Sequence, residues 1–265
     1  MHKQLSVLTF LACMTVLRLS AGEPEIILKN GSRLKVPAVV ADEAGNLLTV
    51  IKKRDVVIGS DDYRYVKTSR PAELNEVAEL VKAGKWNEAE KILSTIGGKY
   101  DYPNLRAEYR YLAAMVFIGQ KKPDKAENIL KVLLDDDLSD PEHEREAYAK
   151  AFRMLGGIYQ EKGEDDNVLA TARKIIETGG SPEDVVWAGN TAGDMLLKKD
   201  KPGAAVKYFL QSVILFDKNT PGRDKSLYEI CKYLKAKDIN QYNFYSGILK
   251  KQYPDSTFIA KLNDL

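Results

Sequence analysis

Residues Phe152 to Ala172 read F-x-x-L-G-G-I-Y-x-x-x-G-x-x-x-x-V-x-x-x-A, and looser copies of this string recur along the chain. Recurrence every few dozen residues implies units that stack, each too small to bury its apolar side alone. Leu155, Gly156 and Tyr159 lie at i, i+1 and i+4, on one side of a helix that Gly163 ends. A second helix then offers Val168, Ala172 and Ile175 at helical spacing. The small residue admits the partner helix closely and Tyr159 fills the space one turn on. Further copies carry Ala114, Phe117, Ala126 and Leu130, then Gly193, Leu196, Ala205, Phe209 and Ser212. An earlier one turns at Gly84-Lys85-Trp86 and continues to Leu93 and Ile96. A degraded last copy holds Ile230, Tyr233, Tyr242 and Leu249 and ends in Tyr253-Pro254-Asp255-Ser256.

Over Pro71 to Leu265 this pattern resembles the tetratricopeptide (TPR) family, and the closing Tyr-Pro-Asp-Ser string resembles TPR proteins of bacterial envelopes. The chain departs from the family in places. Ala114, Gly156 and Gly193 are spaced 42 and 37 apart, Val168 replaces an alanine, and Tyr242 stands where a small residue belongs. The resemblance implies a mainly α fold: about five helical hairpins in an α-solenoid, following a small all-β domain. It also implies a groove lined by the first helix of each hairpin. Helical spacing puts Glu108, Tyr111 and Met115 on that side in one repeat, and Lys150, Arg153 and Gln160 in the next. Trp187, Asn190 and Asp194 follow in a third. Tyr, Trp and Arg are the side chains that dominate binding hot spots. Tyr111 and Trp187 would equally suit the packing between repeats.

Helical periodicity is absent from Glu25 to Val66. Short apolar runs alternate there with turn residues, and Asn30-Gly31 between two runs is a strong hairpin signal. Five short strands suggest a closed or half-closed barrel, faintly similar to Sm-like or SH3-like folds. The expected organisation is a signal peptide at 1–22, a β domain at 23–69 and helical repeats at 70–265. Lys3 precedes the apolar run Leu5 to Leu17, and Ser20-Ala21-Gly22 supplies a cleavage site. The run is short for a membrane span, and Phe10 fits poorly with lipid attachment at Cys13. The expectation is therefore an exported, periplasmic chain without a lipid anchor, at most peripherally associated with the envelope.

Without residues 1–22 the chain carries 38 basic and 38 acidic residues, which argues against nucleic-acid binding. Only Cys231 would remain, so no internal disulfide can form. His143-Glu144 lacks a second histidine four residues on, and no glycine-rich phosphate loop occurs. The clusters Asp135-Asp136-Asp137 with Asp140, and Glu164-Asp165-Asp166, lack the glycine and distal glutamate of a calcium loop and suit helix starts. No catalytic residue, metal or cofactor is expected. The expected partner is a protein or peptide segment, held by a non-enzymatic scaffold in envelope assembly or maintenance. Two alternatives remain open: a catalytic or accessory part of cell-wall or polysaccharide hydrolysis, and glycan or peptide binding through the β domain.

Overall fold

Alternation and turn chemistry shape the N-terminal region. The computed structural model describes residues 23–42, 44–102, 104–136 and 145–265. The expected signal peptide, Asp137, Asp140 and His143 lie outside them. Six strands form: β1 (Glu25–Leu28), β2 (Arg33–Lys35), β3 (Val39–Ala41), β4 (Leu47–Ile51), β5 (Arg54–Ile58) and β6 (Tyr63–Lys67). Gly31, at φ +85°, makes the expected turn, and Ile26 faces Leu34 across it. The strands do not close into a barrel. They form two antiparallel three-stranded sheets, ordered β2-β1-β6 and β3-β4-β5. With runs of three to five residues, each sheet is too narrow to curl onto itself, and its buried side is covered by other elements instead. Ile26, Leu47 and Val66 are fully buried.

The described residues split into two compact units, one running to Lys122, the other comprising Pro123–Asp136 and Arg145–Leu265. The first unit joins the sheets to helices α1 (Ala72–Lys82), α2 (Trp86–Ile96) and α3 (Arg106–Gly119). The Asn104 amide donates to the Val66 carbonyl at 2.9 Å, and Tyr100 donates to Glu73 at 3.1 Å. The Asp101 carboxylate accepts from Arg110 at 2.9 Å, and its backbone carbonyl accepts from Arg106 at 3.3 Å. At Gly119 a Cβ would overlap the Trp86 ring, so α2 and α3 nearly touch there.

The second unit is helical: α4 (Pro123–Lys131), α5 (Arg145–Lys162), α6 (Asp165–Thr178), α7 (Pro182–Lys198), α8 (Pro202–Leu215), α9 (Arg223–Leu234), α10 (Ile239–Gln252) and α11 (Phe258–Asn263). Consecutive helices from α5 to α10 pack as neighbours, giving the hairpins α5–α6, α7–α8 and α9–α10. The sequence markers fall where close packing needs them. Phe152, Leu155, Ala172, Ile175, Ala205 and Phe209 are buried, and Gly163, at φ +74°, ends α5 in a left-handed turn. A Cβ on Gly193 would overlap the Phe209 ring of α8. One on Gly156 would lie 3.0 Å from Thr171 of α6 and 3.3 Å from Trp187 of α7. Cross-hairpin ion pairs repeat as well: Lys162 meets Asp124 and Glu127, Lys198 meets Asp165, and Lys199 meets Asp166. Solvated pairs of this kind contribute about 0–1 kcal/mol each, so helix packing carries the stability.

Candidate functional site

The first helices of successive hairpins, α5, α7 and α9, lie side by side in the second unit. Of the residues expected to line a groove, Lys150, Arg153, Gln160, Trp187, Asn190 and Asp194 belong to this unit. Tyr111 and Met115 belong to the first, where both are half-buried on α3, and Glu108 there pairs with Arg70.

At the α5–α7 seam the start of α7 sets the geometry. Ser181 caps the helix: its hydroxyl accepts from the Asp184 backbone N–H at 3.2 Å and donates to the Asp184 carboxylate at 2.6 Å. That bond aims Asp184, whose side chain is 6% exposed, at α5. Arg153 answers from α5, its Nη1 reaching Asp184 at 3.1 Å and Glu183 at 3.2 Å. The same guanidinium sits over the Trp187 ring, 5.2 Å from its centroid. The far edge of that ring approaches Gly156. Trp187 is therefore both packing and surface, with its inner edge filling the hairpin and its face holding an arginine. Arg153 keeps 37% of its side chain in solvent, and its Nε and Nη2 protons remain available to an acceptor. Lys150, one turn earlier, is exposed and pairs with Glu146 at 2.7 Å. Gln160 is exposed, and Gly157, on the same side of α5, has open space before it.

The α7–α9 seam is built differently. Asn190 is buried rather than presented to solvent. Its amide donates to the Gly222 carbonyl at 2.8 Å, and its oxygen accepts from the Ser226 hydroxyl at 2.7 Å. A short amide at this position reaches only the next helix, so it joins α7 to α9. Asp194 forms an ion pair with Lys225 across the same seam. Beyond it, Tyr228 stacks on Phe258 at 5.2 Å, which fixes α11 against α9.

Arg223 makes a further junction that nothing in its local sequence announces. It is 8% exposed, and its Nε and Nη2 donate to the Val213 carbonyl at 3.2 and 3.0 Å. Its Nη1 donates to Gln252 at 2.8 Å and to Tyr253 at 2.9 Å. A cation on the terminal carbonyls of α8 is well placed against that helix dipole, and it joins α8, α9 and the end of α10. No local spacing signals such a role. Cys231 is buried, as its apolar neighbours suggest, and burial pushes its thiol up to about 11. It is thus neither accessible nor ionised at neutral pH. Among the described residues no group of His, Cys, Asp and Glu is placed to hold a metal ion, and no helix is long and apolar enough to cross a membrane.

No protein-family model and no curated protein matches the chain. Solved structures do. The chain is similar to the apo form of RapI with a TM-score of 0.52 and 15% identity, over 71% of this chain and 53% of that one. It is also similar to YrrB, a TPR protein with an unusual peptide-binding site, at 0.49 and 14%, over 73% and 91% of the two chains. A third likeness is to the nearly identical TPR-like repeats of a putative kinesin light chain from Podosopora anserina. Its TM-score is 0.46 with 14% identity, over 72% of this chain and 94% of that one. At such identities the likeness is one of fold: this is a TPR-like array of helical hairpins.

Proposed function

We propose that the chain is a non-enzymatic adaptor that holds a protein or peptide segment on the α5–α7 side of its second unit, with Arg153 and Trp187 as the anchor. The observation that carries this reading is their stacked pair. An aromatic ring fixed by Gly156 behind it holds a guanidinium in place, with donors left over on a side where the open space before Gly157 leaves room. Such a preorganised, half-exposed Arg–Trp pair is a hot-spot arrangement, because little side-chain entropy remains to be lost on binding. Lys150 and Gln160 extend the surface along α5. Stacked hairpins offer a continuous side of successive helices, a shape that suits an extended segment of another protein.

The basic start, apolar run and Ser20-Ala21-Gly22 site of the first residues support export, with the mature chain beginning near Gly22 or Glu23 and working in the periplasm in envelope assembly or maintenance. Replacing Lys150 and Arg153 together by alanine should reduce capture of the partner segment at least tenfold while thermal melting stays within a few degrees of the wild type. Trp187→Ala should reduce capture at least as much. Because its ring edge also packs on Gly156, this variant is scored only at temperatures where circular dichroism shows it folded. Undiminished capture by a folded double variant would exclude this surface.

A further inference from the structure

The two small sheets leave four edge strands, and three of them are blunted. β2 is three residues long and flanked by the exposed charges of Arg33 and Lys35. β3 is equally short and packs against the 3-10 helix Gly97–Tyr100. The Val66 carbonyl of β6 is occupied by Asn104. These are the ordinary devices that keep an edge from pairing with another chain.

β5 carries exposed charges only at its start, Arg54 and Asp55, and its second half, Val56 to Ile58, has none of these devices. It runs for five residues, and Arg54 to Ile58 make no hydrogen bond or ion pair beyond the ladder to β4 among the described residues. The β4–β5 turn has only two residues, so Ile51 and Arg54 form a hydrogen-bonded pair. It follows that Val56 and Ile58 bond to β4, and that Asp55 and Val57 turn their N–H and C=O groups to the open side. The register also aligns Val40, Leu48 and Val57 as one apolar row across the sheet. That row stops at Val57, which is 63% exposed at the edge. Beside it project Lys52, Lys53 and Arg54, all exposed and unpaired among the described residues. Lys52 and Lys53 both hold left-handed backbone, at φ +50° and +65°, in a turn that Asn-Gly would make without strain.

We propose that β5 is a docking edge that adds an extended, acidic segment of a partner protein as a fourth, antiparallel strand. The open backbone groups supply the ladder, an apolar side chain opposite Val57 continues the row, and the basic turn selects for charge. An added antiparallel strand passes Val57 first and then runs towards the turn. Acidic residues three to four positions after the apolar one therefore meet Arg54 and Lys53. A segment with the reverse order would bring its charges to Asp61 and Asp62, beyond the other end of β5. This surface is independent of the Arg153–Trp187 pair and belongs to the other compact unit.

The test uses the full chain and a synthetic peptide, capped at both ends, that alternates threonine and valine and finishes in two glutamates. The same residues in reverse order serve as control. The forward peptide should protect the Asp55 and Val57 amides from hydrogen exchange and bind at least tenfold more tightly than the reverse one. Val57→Pro removes an open-side donor while leaving the ladder to β4 intact, and should weaken binding at least tenfold. Lys53→Glu with Arg54→Glu, which leaves the backbone edge unchanged, should weaken it at least threefold. Equal affinity for both peptides, protection elsewhere than β5, or unchanged binding by Val57→Pro would overturn the proposal. So would protection of β5 that rises with protein concentration in the absence of peptide, because the edge would then pair with a second copy of the chain.

Discussion

The two seams of the helical unit use one repeat position in opposite ways. Arg153 and Asn190 lie 37 residues apart, the same spacing that separates Gly156 from Gly193, so they are equivalent. At the α5–α7 seam the long side chain crosses to Asp184, stacks on Trp187 and stays partly in water. At the α7–α9 seam the short one is buried and spends both ends of its amide on α9. Both residues join neighbouring helices, and side-chain length decides whether the position keeps one end in water or is buried between them.

The largest expected effect extends that comparison to the equivalent glycines, which sit at the packing of each hairpin. Gly193→Leu meets the enclosed Phe209 ring and should cost about 3 kcal/mol in urea denaturation. Gly156→Leu meets buried Thr171 at 3.0 Å and half-exposed Trp187 at 3.3 Å without overlapping either, and should cost about 1–2 kcal/mol. Equal costs would mean that the two glycine positions are packed alike. A second pair reads the polar residues directly. Asn190→Ala removes both buried hydrogen bonds between α7 and α9, leaving the Gly222 carbonyl and the Ser226 hydroxyl only their longer bonds to each other, and should destabilise by about 1–3 kcal/mol, with no loss of partner capture by α5. Arg153→Ala leaves the nearly buried Asp184 carboxylate with Ser181 alone and should cost about 1–2 kcal/mol of stability, with the larger effect on binding.

The smallest effect concerns Glu229 of α9, behind the closed seam. Burial raises its pKa above the usual glutamate value, nearby Lys232 opposes the shift, and Asp194 across the seam adds to it. A carboxyl that holds its proton more tightly in the folded state stabilises the fold at acidic pH. That contribution is lost as pH rises through the raised value. Glu229→Gln should therefore be slightly more stable than the wild type at neutral pH and no more stable below the ordinary carboxylate range. A denaturation series between pH 3 and 7 reads both limbs, and a variant less stable at neutral pH would show that the ionised form is needed.

The helical hairpins were legible because their signals are local. Gly156, Tyr159 and Gly163 define one helix end within a few residues, and Ala172 and Ile175 give the partner's packing side. The Asn30-Gly31 hairpin was legible for the same reason. The closure of the β region was not, because it depends on β1 pairing with β6, some forty positions away, and on where two short sheets stop. Within the candidate site, helical spacing put Arg153 and Asn190 on one side of their helices but could not say what else reaches them. It grouped Asn190 with Arg153 because both occupy one position, and the burial of Asn190 depends on Gly222 and Ser226 in the following hairpin. Arg223 escaped notice because nothing in Gly222-Arg223-Asp224 indicates a carbonyl at Val213 or the ends of α10.

The claim that the open seam is the working surface is tested most directly by photo-crosslinking in the living cell. A photoreactive side chain is placed in turn at exposed Gln160, beside that seam on α5, and at exposed Glu177 on the second helix of the same hairpin. The account predicts a discrete protein adduct from position 160 that disappears when Lys150 and Arg153 are both alanine, and none from position 177. An adduct from position 177 alone, or one from position 160 that survives the double substitution, would contradict it.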